Sequence, residues 1–154
     1  MSGVLQSQQP PTATTEHELL PGVRVIRLGT NDDPRGRLTV GEVGQQLPFT
    51  PARYFTVSQV PQGEVRGEHA HRECHQFLVS VNGSCSVIVE SRGKRAEILL
   101  DTPEFGLHIP PMVWGIQHKY SPDAVLLVLA SHAYDTTDYF RDYDEWVSAD
   151  SAQA

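Results

Sequence analysis

The chain has 154 residues, twelve Lys plus Arg against nineteen Asp plus Glu, and a formal net charge of -7. That length suits one domain burying roughly two-thirds of its unfolded surface, and 39% hydrophobic with 20% charged residues excludes a highly charged disordered chain. No apolar run approaches the roughly 20 residues of a membrane span, the opening MSGVLQSQQPPTATTEHE lacks the pattern of a secretory signal, and the acidic balance speaks against a nucleic-acid partner.

Residues 1–20, rich in Gln, Thr, Pro and Ser, read as a flexible tail, and 149–154 as a second one. Between them 21–148 is expected to be one domain, because no linker or internal repeat interrupts it. VRVIRL (23–28), RLTVGEV (37–43) and RYFTVSQV (53–60) alternate as strands do; in the last, Tyr54, Thr56 and Ser58 fall on one side and Phe55 and Val57 on the other. QFLVSV (76–81) and SCSVIVE (84–90) flank Asn82-Gly83, a strong hairpin signal, and Arg92-Gly93 turns into KRAEILL (94–100). GLHI (106–109) stops at Pro110-Pro111, VWGIQHKY (113–120) follows, and AVLLVLAS (124–131) reads as a strand buried on both faces. Only the stretch after Asp135 looks helical, with Tyr139, Phe140, Tyr143 and Trp146 as its packing face. Short strands at about ten-residue spacing, punctuated by Gly and Pro, predict an all-β antiparallel sandwich or barrel with a short C-terminal helical segment.

Two cysteines, Cys74 and Cys85, make no disulfide framework; free buried thiols in a reducing cytoplasm are expected. Histidine is the unusual residue: seven in all, with His69, His71 and His75 inside seven positions. On a strand, His69 and His71 project from the same face. Two groups that titrate near neutrality in one cavity suit either metal binding or proton transfer.

GEVRGEHAHRECHQFLVSVNG (63–83) resembles the first motif of the cupin superfamily, with Gly63, His69, His71 and Gly83 in place. The position of that motif's carboxylate is Gln76, and the further metal-binding His falls on Ile116. His75 or His118 would have to substitute in a metal site. A narrower resemblance covers roughly 22–147. Asp33-Pro34-Arg35-Gly36-Arg37-Leu38, GEVRGEHAH, HQFLVSVNGS, GLHIPPMVW, DAVLLVLAS and DYFRDYDEW look like the sugar-nucleotide 3,4-ketoisomerase family of cupins.

The resemblance implies a cupin jelly roll in a strand-exchanged homodimer and no metal or cofactor. It implies a thymidine-diphosphate-linked 4-keto-6-deoxyglucose as substrate, converted to its 3-keto isomer in deoxy- and amino-sugar biosynthesis. Such a reaction removes the C3 proton, passes through an enediol and returns a proton at C4, which is work for imidazoles. His69 and His71 are therefore expected to transfer protons, and Arg66 and an inward Tyr54 hydroxyl to stabilise the enediolate. Arg35 and Arg53 are expected to grip the pyrophosphate. Gln76, Trp114, Gly115 and His118 complete the substrate-binding set; Gly115 stands where the family often has a large polar residue and widens the pocket. The alternatives are a sugar-nucleotide 3,5-epimerase, expected to pair a His with an Asp, a non-catalytic sugar- or nucleotide-binding cupin, and a metal-dependent dioxygenase. The acidity lies in the ends of the chain: 23–132 holds eleven basic and eleven acidic side chains, so a local arginine-lined site for a dianion is compatible with the net charge.

Overall fold

The computed structural model describes residues 16–153. Twelve longer strands come in chain order: β1 (His17–Leu20), β2 (Val23–Arg27), β3 (Gly29–Asp33), β4 (Gly36–Val40), β5 (Arg53–Ser58), β6 (Arg66–His71), β7 (Gln76–Asn82), β8 (Cys85–Ser91), β9 (Lys94–Leu100), β10 (Phe105–Ile109), β11 (Trp114–His118) and β12 (Val125–Ala130). A 3-10 turn (Thr136–Asp138), the two-residue β13 (Tyr139–Phe140) and α1 (Tyr143–Ala152) follow. Two antiparallel sheets form a jelly roll, in the orders β1-β2-β10-β7-β12-β5 and β13-β6-β11-β8-β9, while β3 and β4 make a separate hairpin.

The period-2 pattern sets the core. Val23, Val25, Leu78, Leu107 and Leu126 point inward from the first sheet and meet Val87, Val89, Ile98 and Leu100 from the second. Each fully buried aliphatic side chain of this kind contributes about 1.5–3 kcal/mol of apolar burial. The outer face of the six-stranded sheet is covered too, Phe77 and Val79 packing against Leu28 and Leu47. On the outer face of the five-stranded sheet, Ala70 and Trp114 pack against Phe140 and Trp146. Trp146 Nε1 donates to the Met112 carbonyl at 2.9 Å, and Met112 N donates to the His71 carbonyl at 2.7 Å. β12 has its alternate residues Leu126, Val128 and Ala130 buried inside and the others partly covered outside, as its unbroken apolar run requires.

Three expectations change. The tail does not extend to residue 20: residues 1–15 lie outside the described residues, but His17–Leu20 pair with β2, because Leu20 is buried and Leu19 packs on the core. Nor is 149–154 a tail, since α1 runs to Ala152, with Asp150 accepting from Arg92 N at 2.6 Å. Arg92-Gly93 does close a two-residue hairpin, both residues at positive φ, whereas Asn82-Gly83 does not. β7 and β8 lie in different sheets, and Gly83 is a corner between them. Asn82 Nδ2 bonds the Asp123 carbonyl, Ser84 N bonds Ser121 Oγ, and a Cβ on Gly83 would lie 2.3 Å from Ser121 Oγ. The glycine serves close packing against the 121–124 turn rather than a hairpin.

Candidate active site

Strand β6 places the histidines. Ala70 faces the outer cluster, so His69 and His71 project to the lumen side, their rings 5.0 Å apart in an edge-on arrangement. Gly67 and Glu68 both have positive φ and form a bulge opposite β11 that brings Gly115 into register with His69. A Cβ on Gly115 would touch only Ile109, at 3.8 Å, so the space beside His69 is open.

A residue from the C-terminal segment completes the pair. β13 adds to the edge of β6 with Tyr139 opposite His71 and Phe140 opposite Ala70. This register delivers Asp138, whose Oδ2 lies 2.9 Å from His71 Nδ1. The carboxylate is itself held: Glu73 N donates to Oδ1 at 2.7 Å and Cys74 N to Oδ2 at 3.3 Å. Arg72 fastens the same turn, donating to the Thr137 and Tyr139 carbonyls at 3.0 and 2.8 Å and stacking on Phe140. With Nδ1–H given to Asp138, His71 carries its lone pair on Nε2, which is buried and has no partner among the described residues.

Tyr139 lies against both imidazoles, ring centres 5.2 Å from His69 and 4.3 Å from His71. Arg53, from the facing edge of the other sheet, donates to the Tyr139 hydroxyl at 3.3 Å, and its buried Nε has no partner among the described residues. Arg141 stacks over the Tyr139 ring, 4.2 Å from its centre. Burial pushes His69 down to about 4, reinforced by His71 and by Arg141 and Arg53 and opposed by a hydrogen bond to the Gly67 backbone. His71 is also lowered, chiefly by burial, with Asp138 opposing the shift. Both rings are thus neutral near pH 7, in a field of two guanidiniums that favours an anion. The arrangement offers paired proton acceptors, fixed cations and two unspent buried polar atoms.

His69, His71, Arg53 and Gly115 lie together on the lumen side. Other expected residues stand elsewhere. Tyr54 is on the outward face of β5, 72% exposed, because Arg53, Phe55 and Val57 take the inward one. Arg66 is exposed at the far end of β6, separated from His69 by the bulge. Arg35 sits on the β3–β4 hairpin, paired with Asp33 at 2.8 Å and 90% exposed. Trp114 is buried in the outer cluster with Trp146, one residue out of phase with Gly115. His118 is on that outer face as well, bonded to Glu97 at 2.7 Å. Gln76 is buried on the inner face of β7, opposite Ile109 and Ala130. His75 and His108 bond to each other at 2.9 Å on the outer face of the six-stranded sheet, beside Phe49.

Asp138, Tyr139 and Arg141 are the residues that sequence reasoning missed as site members. The available signal was the alternation of Tyr139 and Arg141 around the apolar Phe140, which marks a strand rather than a helix.

A family model described as FdtA: WxcM-like, C-terminal, matches residues 21–151. A curated protein of Aneurinibacillus thermoaerophilus, TDP-4-oxo-6-deoxy-alpha-D-glucose-3,4-oxoisomerase, is 42% identical over 123 residues, 80% of this chain and 88% of that protein. The sugar 3,4-ketoisomerase QdtA from Thermoanaerobacterium thermosaccharolyticum, solved in complex with TDP, superposes with a TM-score of 0.84 at 34% identity, over 88% of this chain and 98% of that one. The same 3,4-ketoisomerase as a His-to-Asn mutant, solved with TDP-4-keto-6-deoxyglucose, gives a TM-score of 0.84 at 33% identity over the same shares.

Proposed function

The chain belongs to the FdtA family of WxcM-like C-terminal domains, and from that premise we propose that it is a TDP-4-keto-6-deoxyglucose 3,4-ketoisomerase with the 3-keto sugar nucleotide as its product. The observation that carries this reading is the contact of His69 and His71 on the lumen side of β6, with Asp138 behind one of them.

The C3 hydrogen of such a substrate is acidified by the neighbouring C4 ketone. A neutral imidazole removes it, and the electrons move into an enediolate spanning C3 and C4. Transfer of a proton between the two oxygens and delivery of one to C4 leaves the ketone at C3. Two adjacent rings supply both functions without leaving the cavity. Asp138 fixes the tautomer of His71 and stabilises the imidazolium formed when that ring takes a proton. Arg53 and Arg141, flanking Tyr139, supply fixed positive charge where the enediolate and the diphosphate need it. The negative charge of the bound diphosphate also offsets the field that depresses His69.

The working unit we infer is a homodimer in the cytoplasm. The β3–β4 hairpin stands off the jelly roll with Leu38 and Val40 exposed, 60% and 39%, and Arg35 at its tip region. An apolar hollow lies at its base, lined in part by Thr39, Gly41, Leu47, Val81 and Leu127. Exchange of this hairpin between subunits would cover the apolar side chains and carry Arg35 toward the partner's sugar site. The free buried thiols of Cys74 and Cys85 fit a reducing compartment.

A 3,5-epimerase is the second reading, favoured by the His71–Asp138 pair that sequence reasoning reserved for epimerases. Incubation with TDP-4-keto-6-deoxyglucose in deuterated buffer, followed by proton NMR, separates the two. Deuterium at C4 of a 3-keto product, with wash-in at C3 of the remaining 4-keto substrate, is expected. Exchange at C3 and C5 without the 3-keto product would identify an epimerase, and tight TDP-sugar binding with no exchange a binding module.

A further inference from the structure

A ring nitrogen of His71, Cys74 Sγ and a carboxylate oxygen of Asp138 lie within 4.8 Å of one another. Imidazole, thiolate and carboxylate are the three donor types that zinc takes from proteins. A tetrahedral zinc with bonds of about 2.0–2.3 Å sets its donors about 3.3–3.6 Å apart. The 2.9 Å between His71 Nδ1 and Asp138 Oδ2 needs to open only slightly to meet that spacing. The isomerisation derived above makes no use of the Cys74 thiol, yet the thiol is buried beside the pair that does the work.

The donors are also held in place before any ion arrives. His71 ends β6 and Cys74 lies in the short bend that follows, and the backbone of that bend grips Asp138 through Glu73 N and Cys74 N. Arg72 ties the bend to the Asp138 turn. Asp138 keeps 13% of its side-chain surface exposed, which gives an ion a point of first contact.

We propose that His71 Nδ1, the Cys74 thiolate and the Asp138 carboxylate form a reversible binding site for a zinc-like divalent cation. A solvent molecule takes the fourth position. Binding forms three protein–metal bonds and releases one net proton, from the Cys74 thiol; His71 stays neutral, its proton passing from Nδ1 to Nε2 as Nδ1 takes the ion, with no change of oxidation state. The ion replaces the hydrogen bond that orients His71, so occupancy and turnover exclude each other. The binding claim stands apart from the proposed function, and only the loss of turnover rests on it.

Cobalt(II) chloride titrated into the whole protein is the direct test. The expected result is one equivalent bound, a thiolate-to-cobalt band in the ultraviolet, the intense visible bands of a tetrahedral ion, and displacement by zinc. A pH indicator should register release of about one proton per ion, that of the Cys74 thiol. Cys74→Ser should abolish the thiolate band and weaken zinc binding on the order of 100-fold. Cys74→Ala, with circular dichroism matching the wild type, guards against a folding defect. Absence of a thiolate band in the wild type overturns the proposal. So does undiminished zinc binding by both Cys74 variants, which would put the ion elsewhere, for example at His75 and His108. If zinc binds as expected but no isomerisation is found with any sugar nucleotide, the metal site stands and the proposed function falls.

Discussion

Asp138 Oδ2 stands 2.9 Å from His71 Nδ1, across 67 positions of sequence, because a two-residue strand adds to the edge of the strand that carries the histidine. An imidazole whose rear nitrogen is committed in this way has a defined tautomer and a defined plane. Asp138→Asn tests the point. An amide that keeps its oxygen toward Glu73 N must turn its NH2 toward His71, which favours the opposite tautomer and puts the proton on Nε2. The expected outcome is a fall in kcat on the order of 100-fold or more, with KM within about threefold. Steady-state kinetics of a variant with wild-type circular dichroism checks it; an unchanged kcat would make the carboxylate a structural cap only.

His69→Asn and His71→Asn should each cost on the order of 100-fold in rate. The double variant should lose little more than the worse single one, because residues that act as a unit are not additive. Deuterium wash-in at C3, followed in each variant, reports which ring takes the first proton. If both single variants remain within about threefold of wild type, proton transfer lies elsewhere.

The pH dependence follows from burial. His69 and His108 are pushed down to about 4, and His71 and His75 are lowered as well. Their unfolded forms gain protons near 6.5, before the folded forms do, so the unfolded state binds more protons in the window between. Stability is therefore fully present above about 6.5 and is lost as pH falls toward 4. Urea midpoints should drop steadily across that window. The acid limb of kcat/KM for the free enzyme should likewise lie below the value of a free imidazole. A limb at or above that value would contradict the burial of these rings.

Gly106 has no room for a side chain, although its backbone would accept one. A Cβ there would lie 2.1 Å from Phe77 Cζ, under the outer cluster of the six-stranded sheet. Gly106→Ala should cost about 1–3 kcal/mol or more by overpacking, a fall in Tm of about 2–4 °C for each kcal/mol. Calorimetry gives the number. Activity per folded molecule should hold, because that face is turned away from His69.

Leu38→Glu probes the assembly. If the β3–β4 hairpin is exchanged, a charge at this exposed leucine should shift light-scattering mass from dimer to monomer and reduce turnover through the loss of Arg35 from the partner's site. A wild-type protein that is monomeric at micromolar concentration would remove the hairpin from the interface.

Much of the frame was legible because it follows from local rules. Alternation marked most strands, Arg92-Gly93 marked a true hairpin, and the i, i+2 spacing of His69 and His71 placed both rings on one face. What escaped depends on partners far away in the chain. Asn82-Gly83 has hairpin residues, yet the two apolar faces it joins belong to different layers, and tertiary packing decides. Tyr54 and Arg53 are neighbours on β5, and sequence alternation cannot say which of two opposite faces turns inward; here the arginine does, over Phe55 and beside Tyr139. The C-terminal acids read as solvated charge, but Asp138 serves a histidine and Asp150 is buried against the Arg92 turn. Net charge by segment carries no information about such pairings.

The hydrogen bonds from Trp146 to Met112 and from Met112 to His71 tie the end of the chain to the backbone of His71. α1 acts as a wedge driven behind β6. Protease nicking after Arg141, or a fusion that levers the helix off the sheet, would slacken the backbone of His71 while leaving every polar group of the site intact. Loss of activity on trimming this end would then measure mechanical support, and adding the helix back as a separate peptide should restore part of it.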